Sequence, residues 1–292
     1  MTTLPPEPSG SSVPETAIRD SHTYRQVAEG FGDDAARYDR ARPSYPAELI
    51  DRIIERSPGR EILDIGTGTG IVARLFQARG CQVLGVEPDP RMADAARRRG
   101  LEVEVAKAED WDPAGRQFDA AVAGQVWHWV EPVAGAATAA KALRLPGAQG
   151  RTQAQRPGGR IALFWNVYQP EDKVRAAIGA VFARVDTGLP YGSGSASAAS
   201  MVEGYLGMCR KAVDGMARAG GFGEPETWRF EWNRRYTRDE WLDMVPTMGG
   251  MSRVPAGKLV QLLDGIGAAI DSVGGGLTVN YTTVAVTAVR SA

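Results

Sequence analysis

The spacing of apolar residues changes period several times along the chain. Leu49, Ile50, Ile53 and Ile54 recur at helical intervals, so residues 47–56 read as an amphipathic helix. From residue 61 short apolar runs follow, over 61–65, 82–87, 101–105, 118–123 and 160–166. Helical patterns over 70–79, 89–99 and about 131–145 separate them. Strands and helices taking turns predict a parallel sheet covered on both faces. Right-handed crossovers then place the strand-to-helix loops on one edge of that sheet.

Beyond residue 166 the pattern loosens. Val174, Ile178, Val181, Phe182 and Val185 keep helical spacing, so 167–220 reads as helical, interrupted by a Gly/Ser/Ala segment over 188–200. Residues 227–236 and 277–289 alternate as strands, and 238–248 and 257–273 read as helices. At the other end, residues 1–20 are rich in Pro, Ser, Thr and Glu and are expected to form a disordered tail. Residues 21–40 carry Tyr24, Val27, Phe31, Ala35 and Tyr38 at roughly helical spacing, broken by Gly30 and Gly32.

The candidate chemistry centres on residues 61–70, EILDIGTGTG. A buried strand containing Asp64 runs into Gly66, Thr67, Gly68 and Gly70, and a helix begins directly after. Glycines at that junction let a ligand approach the backbone, and the helix start directs N–H groups at it. A dinucleotide site favours G-x-G-x-x-G, whereas the spacing here is G-x-G-x-G. Asp64 would repel a phosphate but pair with an ammonium group. Glu87 ends the next strand at the distance where an acid accepts hydrogen bonds from ribose hydroxyls. A ligand with an amine, a ribose and no phosphate matches S-adenosyl-L-methionine better than a nicotinamide dinucleotide. An ordinary strand–turn–helix is the alternative.

The sequence here resembles the class I S-adenosylmethionine-dependent methyltransferases. The residues that carry the resemblance are 61–70, Gly85-Val86-Glu87-Pro88, Ala108-Glu109-Asp110-Trp111 and RPGGRIALFWN over 156–166. YDRARPSYP over 38–46 and Trp127-His128-Trp129 are similar to the small-molecule branch that includes trans-aconitate methyltransferases. The resemblance implies an α/β, Rossmann-like, seven-stranded and mostly parallel sheet with helices on both faces. Its last two strands form an antiparallel pair at the sheet edge. Residues 21–60 would form lid helices over the cofactor, 61–166 the cofactor-binding core, 167–220 and 238–273 a helical cap, and 277–290 the final strand, so that 21–292 is one methyltransferase domain. In that pattern a helix ending in Leu-Arg runs straight into Pro-Gly-Gly, so residues 145–156 are expected to be an inserted solvated loop.

Cofactor contacts are expected from Tyr38, Arg42, Asp64, Gly66, Thr67, Gly68, Gly70, Glu87, Pro88, Glu109, Asp110, Trp111 and Gln125. Arg42 could pair with the methionine carboxylate. By resemblance Asp110 would accept from the adenine amine, with Trp111 as a wall. Tyr45, Trp127, Trp129 and Asn166 are candidate substrate contacts. His128 is the candidate catalytic residue, either a general base or a contact that orients the cofactor.

Charge and composition narrow the partners. Thirty-four basic and 35 acidic residues leave a net charge of −1, without the basic excess that marks a nucleic-acid surface. The basic run Arg97-Arg98-Arg99 reads as a solvated helix end. Cys81 and Cys209 have no metal or disulfide spacing, and a histidine-based metal site is not expected from His22 and His128. With no long apolar run and no leader pattern, a cytoplasmic protein without a membrane span is expected. The reading is therefore methyl transfer from S-adenosylmethionine to a small-molecule acceptor. A macromolecule methyltransferase and a non-catalytic cofactor-binding regulatory module are the alternatives.

Overall fold

The computed structural model describes residues 29–147, 157–188 and 198–292. The expected tail over 1–20, the start of the lid segment, most of the inserted loop and most of the Gly/Ser/Ala segment lie outside these residues.

Seven strands form one sheet in the order β3-β2-β1-β4-β5-β7-β6. They are β1 (Glu61–Ile65), β2 (Gln82–Glu87), β3 (Glu102–Val105), β4 (Ala120–Gly124), β5 (Arg160–Pro170), β6 (Glu226–Thr237) and β7 (Gly276–Val289). The first five are parallel to one another, and β7 lies antiparallel between β5 and β6. This is the sheet expected from the sequence, including its antiparallel edge.

Strand alternation divides the core. Ile62, Ala120, Val122, Ala162 and Phe164 join one apolar cluster with α2 (Ala47–Glu55) and α3 (Ile71–Gln77). Their neighbours Leu63, Ala121, Ala123, Ile161 and Leu163 join the opposite cluster with α5 (Pro132–Ala142) and α7 (Ala198–Ala219). Period-two burial on both faces explains why these strands read as continuous apolar runs. A third cluster is the cap: α6 (Asp172–Arg184), α8 (Arg238–Met244) and α9 (Ala256–Ser272) close on the outer parts of β6 and β7 through Trp241, Leu262, Ile266 and Tyr236. The remaining helices are α1 (Ala35–Ala41), preceded by a 3-10 turn over Glu29–Asp34, and α4 (Pro90–Arg97).

Three boundaries differ from the sequence reading. β5 does not end at 166 but continues to Pro170, because β7 pairs with it from Arg160↔Val289 to Pro170↔Val279. The helix expected over 238–248 ends at Met244, and Val245–Thr247 tighten into a 3-10 turn at Pro246, which has no N–H to continue the helix. The helix expected to reach 145 ends at Ala142, since Leu143 bridges to Phe118 and the Arg144 N–H donates to the Phe118 carbonyl at 2.9 Å. Among the described residues no helix is long and apolar enough to cross a membrane.

The apolar stripe of α2 predicts a contrast in stability. Ile53 is fully buried against the sheet, whereas Val260 on α9 is 57% exposed. Ile53→Ala is expected to cost about 2–5 kcal/mol through lost burial and the cavity left behind. Val260→Ala should change stability by less than about 0.5 kcal/mol. Urea unfolding of both variants checks the difference.

Candidate active site

At the edge where β1, β2 and β4 end, two joined cavities of about 490 and about 280 Å³ open beside the glycine loop. Phe31, Tyr38, Gly66, Gly68, Gln125 and Trp129 line both, so they form one continuous cleft.

Leaving β1, the loop is tied to β2 by the Gly66 and Thr67 N–H groups, which both donate to the Val86 carbonyl at 2.7 and 3.1 Å. Gly66 and Gly68 are left-handed, at φ 66° and 56°. A Cβ on Gly66 would lie 2.4 Å from Val126, so the loop needs glycine there for space as well as conformation. A Cβ on Gly68 would meet only the tip of Met92 at 3.6 Å, which makes Gly68 the open floor of the larger cavity. Gly70 is the left-handed cap of α3 and lines neither cavity.

Glu87 projects into the larger cavity from the end of β2. Its carboxylate accepts the Gly68 N–H at 2.8 Å and the Asp89 N–H at 3.0 Å. Burial nevertheless pushes its pKa up to about 7, the two backbone donors only partly offsetting it. Asp64 is deeper, 1% exposed, and accepts the Thr67 hydroxyl at 2.6 Å. Burial raises it to about 7 as well. Asp64 lines neither cavity; it sits behind the loop and acts on it through Thr67.

The lid crosses above. The Phe31 and Tyr38 rings meet at 5.5 Å, tilted by 51°, and the Arg42 guanidinium lies 5.5 Å from the Tyr38 ring. Ion pairs hold the lid down: Asp33 with Arg91 at 2.6 Å, Asp39 with Arg74 and Arg99 at 2.8 and 2.9 Å, and Arg37 and Arg40 with Asp243 of the cap at 3.1 and 2.8 Å.

The smaller cavity differs in chemistry. Arg42, Tyr45, His128, Tyr168, Tyr205 and Tyr281 line it, together with Met244 and Met248, and no Asp or Glu does. Arg42 has no carboxylate within ion-pair distance among the described residues. Burial pushes the Tyr205 hydroxyl up to about 12 and those of Tyr45, Tyr168 and Tyr281 upward too, so all stay protonated at neutral pH. His128 is driven down to about 4 by burial and then by the Arg42 charge, so it is neutral. The Trp165 indole N–H points at His128 Nδ1, 3.4 Å away. An indole only donates, so Nδ1 is the bare nitrogen and Nε2 carries the hydrogen.

Most of the expected residues therefore converge on the cleft, and a few do not. Pro88 and Glu109 line the larger cavity; Asp110 and Trp111 do not. Trp111 is 7% exposed in the core, with its indole N–H donated to Glu104 and its ring on Phe118, so it cannot be an adenine wall. Trp127 turns the opposite way from Trp129 and is 3% exposed in the core under α5. Asn166 reaches the smaller cavity, but its amide is committed: it donates to the Ser44 carbonyl at 3.0 Å and accepts from Thr283 at 2.6 Å. Sequence reasoning missed Phe31, Tyr168, Tyr205, Tyr281, Met244 and Met248. The lid and β5 helix-or-strand ambiguity hid the first two, and the rest join the site only through the fold of the cap.

Residues 38–150 match the sequence profile of a methyltransferase-domain family. An uncharacterized methyltransferase of Mycobacterium bovis is 36% identical over 145 residues, 49% of this chain and 54% of that protein. The chain spans about half the length of the curated relatives it matches. Trans-aconitate 2-methyltransferase of Mycolicibacterium gilvum is 36% identical over 93 residues, 31% of this chain and 35% of that protein. A proposed type II methyltransferase of Anaeromyxobacter dehalogenans superposes with a TM-score of 0.55 at 23% identity, over 84% of this chain and 97% of that one. That likeness establishes the shared fold. Residues 38–150 carry the signature of a methyltransferase domain. S-adenosyl-L-methionine is the cofactor of the methyltransferases this sequence resembles, and the residues present fit it: an open glycine floor and Glu87 placed for a ribose diol, while Arg42 lines only the smaller cavity.

The two raised acids set a pH dependence. A cofactor that donates hydrogen bonds and carries an ammonium favours the ionised forms, so binding releases protons below pH 7. Affinity for S-adenosylmethionine should rise as pH increases through about 7 and level off above it. The unliganded protein should show the opposite trend in stability, losing it as pH rises from the ordinary carboxylate range through about 7. Calorimetry across pH and in buffers of different ionisation enthalpy measures both the affinity and the proton release. Glu87→Gln should weaken binding by about 1–3 kcal/mol and flatten the profile.

Proposed function

We propose that this methyltransferase domain transfers a methyl group to a small-molecule acceptor held in the cavity between Arg42, His128, Tyr205 and the cap. The observation that carries the proposal is a chamber of about 280 Å³, continuous with the cofactor cleft and roofed by lid and cap. A polymer would need an open groove instead.

The chamber also says which acceptors suit it. Its charged and titratable polar groups are donors at neutral pH: the Arg42 guanidinium, tyrosine hydroxyls held protonated, and His128 Nε2–H. No lining acid can take a proton, and the lone pair of His128 Nδ1 faces Trp165. The acceptor oxygen must therefore arrive ionised, as a carboxylate does at neutral pH. The donors orient such an oxygen, and the lid and cap exclude water from it. Bound S-adenosylmethionine supplies an activated sulfonium methyl, so alignment carries much of the remaining rate. The base role considered for His128 from sequence gives way to a donor role, because its free nitrogen is already engaged and its pKa is near 4. The Mycolicibacterium gilvum relative is named for trans-aconitate, a small-molecule acceptor.

Incubation with methyl-labelled cofactor and an extract of the source organism tests this. Label is expected in a small, base-labile methyl ester; label that stays with macromolecules would refute the reading. Calorimetry should give heat with S-adenosylmethionine and none with NAD. His128→Gln, whose amide N–H can stand in for Nε2–H, should keep turnover within about tenfold, while His128→Ala should lose about 10- to 100-fold. Equal losses in both would return His128 to the role of a base.

A further inference from the structure

Gln125 is unusual in three ways. It is a non-glycine residue in the left-handed region, at φ 57°, placed one residue past the end of β4. It lines both cavities. And its polar groups other than the carbonyl tie together two elements, β5 and α7. Its N–H donates to the Phe164 carbonyl at 2.8 Å, its side-chain Oε1 accepts the Asn166 N–H at 2.8 Å, and its Nε2–H donates to the Tyr205 hydroxyl at 3.3 Å.

These contacts have a direction. The left-handed turn takes the main chain away from β5, and the side chain accepts the next N–H of that strand in its place. Asn166 is itself braced, by Ser44 of the lid segment and by Thr283, which in turn accepts the Trp232 indole N–H at 2.8 Å. Oε1 is thus fixed as the acceptor end of the amide, so Nε2 must be the end that faces Tyr205. Tyr205 sits on α7, on the same face as Ala212 and Met216, which are locked in the core. Because its oxygen receives the Gln125 N–H, its own hydrogen is left to point into the chamber. Burial keeps that hydrogen in place at neutral pH.

We propose that Gln125 is a positioning residue that fixes the Tyr205 hydroxyl as a hydrogen-bond donor to the methyl acceptor, making Tyr205 a specificity-determining contact. The acceptor contact rests on the function proposed above; the orientation of Tyr205 does not. Glutamate would serve badly at this position: its carboxylate would keep the Asn166 bond but accept from Tyr205, turning the hydroxyl hydrogen away from the chamber. Asparagine would tolerate the backbone but fall short of α7.

Gln125→Glu, Gln125→Gly and Tyr205→Phe separate the possibilities. Each is measured as the complex with S-adenosylhomocysteine, using tyrosine labelled with carbon-13 at Cζ and the Tyr205 signal assigned from Tyr205→Phe. Gln125→Glu should shift the Tyr205 signal. With the acceptor identified by labelling, Gln125→Glu and Tyr205→Phe should raise KM about 10- to 100-fold, with kcat much less affected. Gln125→Gly, which relieves the backbone but removes the side chain, should share the KM defect. An unmoved Tyr205 signal in Gln125→Glu would overturn the positioning role. A wild-type KM in both Gln125→Glu and Tyr205→Phe would leave Gln125 as a seal on the strand end and overturn the acceptor contact. A wild-type protein that methylates nothing would overturn the function itself and the contact with it, whatever the Tyr205 signal does.

Discussion

The site depends on a mismatch in strand length. β1 to β4 are four to six residues long, whereas β5, β6 and β7 run for 11 to 14. The pairing of β4 with β5 stops at Gly124↔Phe164, and β5 continues to Pro170 with β7 alone beside it. That overhang is one wall of the cleft, and the glycine loop is the other. An overhanging strand exposes N–H groups that a buried wall cannot leave unpaired. Gln125 answers the first of them through its side chain, and so the residue that closes the ladder also faces both cavities.

Around this frame the charges are segregated. On the cofactor side Asp64 and Glu87 are buried carboxyls whose raised pKa values record the cost of keeping them there without a cation. On the other side Arg42 is a cation without a carboxylate partner among the described residues, set among hydroxyls and a neutral imidazole. Each half is electrostatically incomplete alone. A carboxylate placed among the tyrosines would neutralise Arg42 permanently. The Tyr236–Tyr281 hydroxyl pair, at 2.7 Å, and the Trp232 ring stacked 4.3 Å from Tyr281 stiffen the wall without adding charge.

The parts of this arrangement that were legible in the sequence are those with local causes. Alternate glycines after a buried strand, an acid ending the next strand, and period-two runs all follow from backbone geometry within a few residues. What was not legible depends on pairing at a distance. Val167 to Pro170 resembled the start of a helix because Val174 and Val181 follow at helical spacing, yet β7 holds them as strand. Trp127 and Trp129 looked like two walls of one pocket. The 3-10 turn that carries them sends one into the core and the other to the cleft. Tyr205 and Tyr281 sat in segments with no chemical signature, and only the closure of cap on sheet brings them within reach of Gln125 and Arg42.

The same closure joins the two covers of the site. Asp243 on α8 is paired with both Arg37 and Arg40 of the lid helix α1, and its side chain is only 27% exposed. Met244, the next residue, lines the smaller cavity. The segment before β1 is therefore clamped to α8, which lines the smaller cavity, while Asp33 and Asp39 clamp it to the Rossmann-like core through Arg91, Arg74 and Arg99. Exposed ion pairs contribute little stability one at a time. As a set they tie the segment before β1 to α8 on one side and to the residues around α3 and α4 on the other, through polar contacts.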